Sequence, residues 1–154
     1  GGSLISLTKL LEVMALILLA TVSNTAMVFF ITSFFSSQNA FATVSTVIGT
    51  LIGFLTGIYI PIGQLPESIQ WIVRLFPPSY AAVLLRQALM ADPMAAGMAD
   101  LPAEYVEGFK EALGIVLKFG ETEASKIFSI AVLLVSAAVF FLLAVLVLSR
   151  KKKE

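Results

Sequence analysis

GIYIPIGQLPESIQWIVRLFPPSYAAVLLR, residues Gly57–Arg86, is too apolar for an ordinary surface loop and too broken by proline for a spanning helix. Pro61, Pro66, Pro77 and Pro78 divide it, because proline lacks the N–H and clashes with the preceding turn. Pro66 suits the first position of a helix, where the missing donor costs nothing. The pieces between the breaks are Pro66–Phe76, 11 residues, and Ser79–Met90, 12 residues. A bilayer core about 30 Å thick needs roughly 20 helical residues. Neither piece is long enough, so Pro66–Met90 reads as a re-entrant hairpin bent at Pro77-Pro78. Backbone of that kind is tolerated at membrane depth only where protein or water satisfies it.

Composition sets the same environment. The chain has 154 residues, of which 58% are hydrophobic and only 13% charged. Its mean hydropathy is +0.97. Soluble domains run nearer to about 25% charged, so the chain reads as an all-α integral membrane protein. It holds no cysteine and no histidine, which excludes disulfides, thiol chemistry and histidine-based catalysis. It opens on Gly-Gly-Ser rather than Met, as a cut fragment or a cloning remnant would.

Three spanning helices are expected, over 10–35, 40–60 and 127–148. Ser23, Asn24 and Thr25 fall near the middle of the first. Polar groups at that depth face other helices or a wet cavity, so either an interhelical hydrogen bond or a transport path accounts for them. In the second helix Gly49, Gly53 and Gly57 recur every four residues, with Thr46 and Thr50 beside them. Glycine at that spacing lets helices approach closely in lipid, either within one subunit or at a subunit interface or conduit wall. Trp71 and Tyr80 are placed as interfacial anchors.

Residues 91–126 read as an external loop carrying an amphipathic helix, opened by Pro102 and closed by Gly120. Tyr105, Phe109, Leu113 and Val116 form its apolar stripe; Glu104, Glu107, Lys110 and Glu111 form its solvated face. From Glu67 to Lys126 there are five basic and eight acidic residues, a net −3, whereas the tail 149–154 is net +3. Lysine and arginine flanking a spanning helix mark the cytoplasmic side. The C-terminus is therefore expected in the cytoplasm and the segment 61–126 outside the cell.

No phosphate-cradling glycine loop, catalytic set or metal-ligand spacing is present in the sequence. The chain is thus not expected to act as an enzyme or to bind a cofactor or nucleic acid.

A helix ending in Gly57, then Pro61-Ile62, Leu65-Pro66, Phe76-Pro77, Tyr80 and Arg86 resembles the C-terminal half of a type-2 ATP-binding-cassette exporter permease. That resemblance extends loosely over residues 10–153. It implies a transport subunit in the cytoplasmic membrane, moving a drug, lipid or other amphiphile outward. It implies further partners: three upstream permease helices, a second permease copy and an ATPase that carries ATP and Mg. The substrate path would then run past Ser23, Asn24, Thr25, Thr46, Thr50 and Phe54. Pro61 and Pro66 would sit at an outer gate, and Gly49, Gly53 and Gly57 would pack helices. Two other classes remain open on the residues alone, a self-assembling pore and an accessory membrane subunit.

Overall fold

The computed structural model describes residues 6–120 and 122–151. The expectations for Gly1–Ser3, Glu121 and the end of the basic tail, Lys152–Glu154, lie outside those residues. Six α-helices make up most of the chain: α1 (Leu7–Thr32), α2 (Gln38–Leu55), α3 (Glu67–Leu75), α4 (Pro77–Gly97), α5 (Ala103–Ala112) and α6 (Lys126–Lys151). A 3-10 turn (Ile62–Gln64) precedes α3, and a two-stranded hairpin of β1 (Lys118–Phe119) and β2 (Thr122–Glu123) precedes α6. The chain is an all-α membrane protein, and α1, α2 and α6 are the three helices long and apolar enough to cross a bilayer.

Helix α1 starts at Ser6, whose hydroxyl accepts from the Lys9 amide at 3.2 Å. It stops at Thr32, three residues before the expected end. There the Thr32 hydroxyl donates to the Val28 carbonyl (2.8 Å) and the Ser33 hydroxyl to the Phe30 carbonyl (2.7 Å), which satisfies acceptors that the helix end leaves open. Ser37 caps α2 through the Ala40 amide at 3.1 Å. The connection between the two helices is therefore the short turn Ser33–Ser37, with Phe34 and Phe35 exposed.

Helix α2 ends five residues earlier than the apolar pattern suggested. Gly57 adopts φ +74°, a left-handed conformation natural to glycine. The Ile58 amide donates to the Gly53 carbonyl (3.0 Å) and the Gly57 amide to the Phe54 carbonyl (3.2 Å). These two bonds are the Schellman ending of a helix. Gly57 is consequently a stop signal outside the helix, not the third member of a packing series. The apolar run Ile58-Tyr59-Ile60 had disguised it.

The hairpin forms with its bend at Phe76, which is both the last cap of α3 and the first cap of α4 (φ −94°, ψ 110°). The residue before a proline is held in this extended region, and Pro77 and Pro78 then occupy the first turn of α4, where their missing donors cost nothing. The Tyr80 hydroxyl reaches back across the bend to the Arg74 carbonyl at 2.6 Å. Tyr80 is buried, so it braces the hairpin instead of anchoring an interface. Trp71 remains half-exposed, with the Arg74 guanidinium 5.1 Å above its ring.

Two expectations about length fail here. Pro66 caps α3 from outside, so the helix begins at Glu67 and has 9 residues. Helix α4 runs 21 residues, on through Pro93 to Gly97, instead of ending at Met90. An internal proline removes one backbone bond, and the alanines and methionines around it favour helix enough to continue. At ~1.5 Å per residue α4 is about 32 Å long, so length alone does not stop it from crossing. Arg86 and Asp92 within it keep it out of the set of apolar spanning helices.

Helix α5 is also shorter than expected. It ends at Ala112, and Gly114 (φ +64°) closes it, with the Ile115 amide on the Lys110 carbonyl at 2.8 Å and the Gly114 amide on the Glu111 carbonyl at 3.0 Å. This is a second Schellman ending. Gly120 serves instead as the left-handed residue of the β1–β2 turn. Leu113 and Val116 lie beyond the helix and Tyr105 is exposed, so the anticipated four-residue stripe does not share one helical face.

The core forms where α1, α4 and α6 meet. Leu16 and Ala20 of α1, Val83, Leu84 and Ala88 of α4, and Leu133 of α6 close it. The alanines let the backbones approach where a larger side chain would hold them apart. Helices α1 and α6 run parallel. Glu12 pairs with Lys126 at one end, the Ser23 and Ser136 hydroxyls meet at 2.9 Å midway, and Lys151 Nζ donates to the Ser33 carbonyl at 2.9 Å at the other end. Because α2 returns antiparallel to α1, the segment from Gly57 to Ser125 leaves and re-enters the bundle at one end.

That arrangement fixes a relation between loops. Single cysteines replacing Glu107 and Gln38 in this cysteine-free chain should react with an impermeant thiol reagent from opposite sides of a sealed vesicle. Labelling of both from the same side would contradict the parallel pairing of α1 with α6.

Candidate functional site

The end of the bundle that carries Gly57–Ser125 is held together from α4. Two carbonyl-rich helix ends converge there: that of α2, closed by the turn at Gly57, and that of α5, closed by the turn at Gly114. The last carbonyls of a helix have no partner within it. The Arg86 guanidinium supplies one, donating through Nη2 to the Thr56 carbonyl (2.7 Å) and the Gly57 carbonyl (3.1 Å), and through Nη1 toward the Gly114 carbonyl (3.4 Å). Two turns earlier the Ser79 hydroxyl donates to the Leu55 carbonyl at 3.1 Å, and beside Arg86 the Gln87 amide donates to the Ile115 carbonyl at 2.9 Å. No carboxylate lies within ion-pair distance of Arg86 among the described residues. Its charge is met by the negative ends of two helices, the polarity that favours a cation.

Glycine is required at this junction on steric grounds as well. A Cβ on Gly57 would sit 2.8 Å from the Ile62 side chain and 3.4 Å from the guanidinium. Pro61, read from sequence as a gate residue, starts the 3-10 turn that carries Ile62, and Ile62 is buried. Pro66 sets the start of α3, and its carbonyl accepts the Ile69 and Gln70 amides. Both prolines thus shape the segment between α2 and the hairpin.

The polar residues of α1 part company. Ser23 is fully buried in the seam with α6 and bonded to Ser136. Asn24 and Thr25 instead line an open groove of about 390 Å³ with Val28, Phe29, Thr32 and Phe41, between α1 and the start of α2. The Asn24 Oδ1 atom is buried with no hydrogen-bond partner. A buried amide oxygen left unbonded costs about 1–3 kcal/mol, so Asn24, which borders the groove, carries one unmet acceptor.

Helix α2 borders this groove and is little covered. Only Ile48 and Gly53 of its 18 residues are buried. The Thr46 and Thr50 hydroxyls each donate to the carbonyl four residues back, at 3.0 Å, which suits them to an apolar surface. Around Gly49 there is open space. At Gly53 a Cβ would overlap the ring of Tyr59, which folds back over the helix end and meets Phe54 edge-on at 5.1 Å. Within this chain the small face therefore receives a loop ring at Gly53 and nothing at Gly49.

A smaller cleft of about 230 Å³ lies between α3 and α5, with Arg74, Gln70 and Lys118 on its walls. Hydrogen bonding to the Glu111 carboxylate, 2.8 Å away, raises the Lys118 ammonium above the ordinary lysine range. Among the described residues no cluster of metal-ligating side chains occurs.

Sequence reasoning named Arg86 only as part of a pattern and gave Ser79 and Gln87 no role. The available signal was a lone arginine in an apolar stretch flanked by two glycines able to end helices.

The family model of the ABC-2 family transporter protein matches residues 2–146, and the chain belongs to that family. No curated protein and no solved structure matches it. Members of this family are membrane components of ABC transporters.

Replacing Arg86 by Met keeps the bulk and removes all its donors. Charge-assisted hydrogen bonds contribute about 1.5–3 kcal/mol, so Arg86→Met should lower stability by about 2 kcal/mol, read as a drop in the unfolding midpoint in a defined detergent. Arg86→Lys, a point charge with no fork, should recover less than half of it. A midpoint unchanged in Arg86→Met would remove the clamp from the account.

Proposed function

We propose that this ABC-2 permease chain forms the last three spanning helices of an ATP-driven exporter that moves amphiphiles outward across the cytoplasmic membrane. The observation that carries the reading is the state of α2. It is apolar enough to span, yet it buries two residues within its own chain. Unlike α1 and α6, which pack along each other, α2 meets the other helices of its own chain at few points, which fits a partner surface or a conduit. The family supplies the expected partners: an ABC ATPase, a second permease copy and the earlier permease helices. ATP and Mg belong to that ATPase.

In this reading the path follows the groove between α1 and α2, past Asn24, Thr25, Thr46, Thr50 and Phe54. Ser23 serves the α1–α6 seam beside it. Clamping of the ATPases rocks the permease halves. The re-entrant pair α3–α4 moves as an outer gate, with Pro61 and Pro66 setting its attachment to α2. The positive-inside rule, applied to the basic run at the end of the sequence, supports a cytoplasmic C-terminus and an outer −3 segment.

The unmet Asn24 oxygen gives a specific test. In vesicles holding the complete transporter with its ATPase, Asn24→Leu should lower ATP-dependent efflux of an amphiphilic dye about tenfold at matched expression. The matched change Ser23→Ala should cost less than threefold, since hydrogen bonds between membrane helices average ~0.6 kcal/mol. Efflux that persists without ATP or the ATPase would favour a self-assembling pore instead. Wild-type efflux in Asn24→Leu would take the α1–α2 groove out of the path.

A further inference from the structure

A third cavity lies apart from the α1–α2 groove and abuts the Arg86 junction at Gln87 and Ile115. It measures about 520 Å³ and runs between the second half of α4 and α5. Ala91, Met94, Ala95 and Met98 form one wall; Val106 and Lys110 form the other. Its volume falls within the roughly 300–1,000 Å³ range of small-ligand pockets, which are mostly apolar with few polar groups. It starts where the burial of α4 against the spans stops, at Ala88, so it opens at the rim of the spanning bundle. Methionine thioethers adapt their shape to flexible partners.

The cavity carries one charged side chain, Lys110. Lys9 and Lys126 each pair with Glu12, and Lys118 pairs with Glu111. Lys110, half-buried in the cavity wall, has no carboxylate within ion-pair distance among the described residues, although Glu107 and Glu111 flank it in sequence. The Gln87 amide, at the end of the cavity, is already committed to the Ile115 carbonyl. The one available charge is thus a cation facing an apolar trough.

We propose that the α4–α5 cavity binds a single-chain anionic amphiphile drawn from the adjoining leaflet. Its chain lies along Met94 and Met98, and its head group pairs with Lys110. A lysine ammonium is a compact point charge and suits a carboxylate or sulfate head. A cationic amphiphile meets the same trough with like charge. The site stands whether or not the chain exports anything.

The test is photo-crosslinking of the full chain in lipid vesicles, with a diazirine-bearing fatty acid and the fatty amine of the same chain length. Peptides are mapped by mass spectrometry, and labelling of 91–116 is expressed relative to labelling of α6. The fatty acid should label 91–116 strongly and the amine about tenfold less, the factor corresponding to ~1.4 kcal/mol. Lys110→Glu, a change on a solvent-reachable helix, should remove that preference. Ala95→Trp should fill the trough and remove labelling by both probes. Equal labelling by acid and amine in the wild type, or a preference that survives Lys110→Glu, would overturn the proposal.

Discussion

A backbone carbonyl at the end of a helix needs a partner, and in a membrane protein water does not reliably provide one. This chain ends two helices close together, α2 at Leu55 with Thr56 as its cap and α5 at Ala112 with Leu113 as its cap. Arg86 answers both ends from α4, and Ser79 and Gln87 extend the same service to Leu55 and Ile115. Every other feature of this end follows from where those carbonyls lie. Gly57 and Gly114 must be left-handed to present them, Ile62 must fill the space beside Gly57, and α4 must lie across both ends.

The arrangement has a mechanical consequence. The core of α1, α4 and α6 is closed by apolar packing and by three polar links spaced along its length. Helix α2 touches it lightly along its span and firmly only at its end, through α4. Helix α2 is thus coupled to α4 by hydrogen bonds to its terminal carbonyls as well as by the packing of Leu55 against the core. Such bonds are directional and fail over short distances, which makes the junction a stiff hinge instead of a sliding contact.

Three helices apolar enough to span, the bend at Pro77-Pro78 and a helix opened by Pro102 were legible in the sequence, because hydropathy and proline act locally. The ends of α2 and α5 were not. Glycine every four residues supports close packing and helix termination equally well in a sequence, and only the position of the Tyr59 ring and the φ of Gly57 separate them. The length of α4 was missed because the piece was ended at Met90, although the alanines and methionines beyond carry the helix through Pro93 to Gly97. Of the polar trio in α1, sequence could not divide Ser23 from Asn24. Their separation depends on the facing Ser136, 113 positions away.

The central claim is that Arg86 joins α2, α4 and the α5 turn into one unit. Hydrogen exchange of the full chain in lipid nanodiscs, compared between wild type and Arg86→Gln, tests it most directly. The account predicts that amides of 57–65 and 113–118 lose protection together, while those of α1 and α6 stay as they were. Loss confined to one of the two segments, or no loss in either, would contradict it.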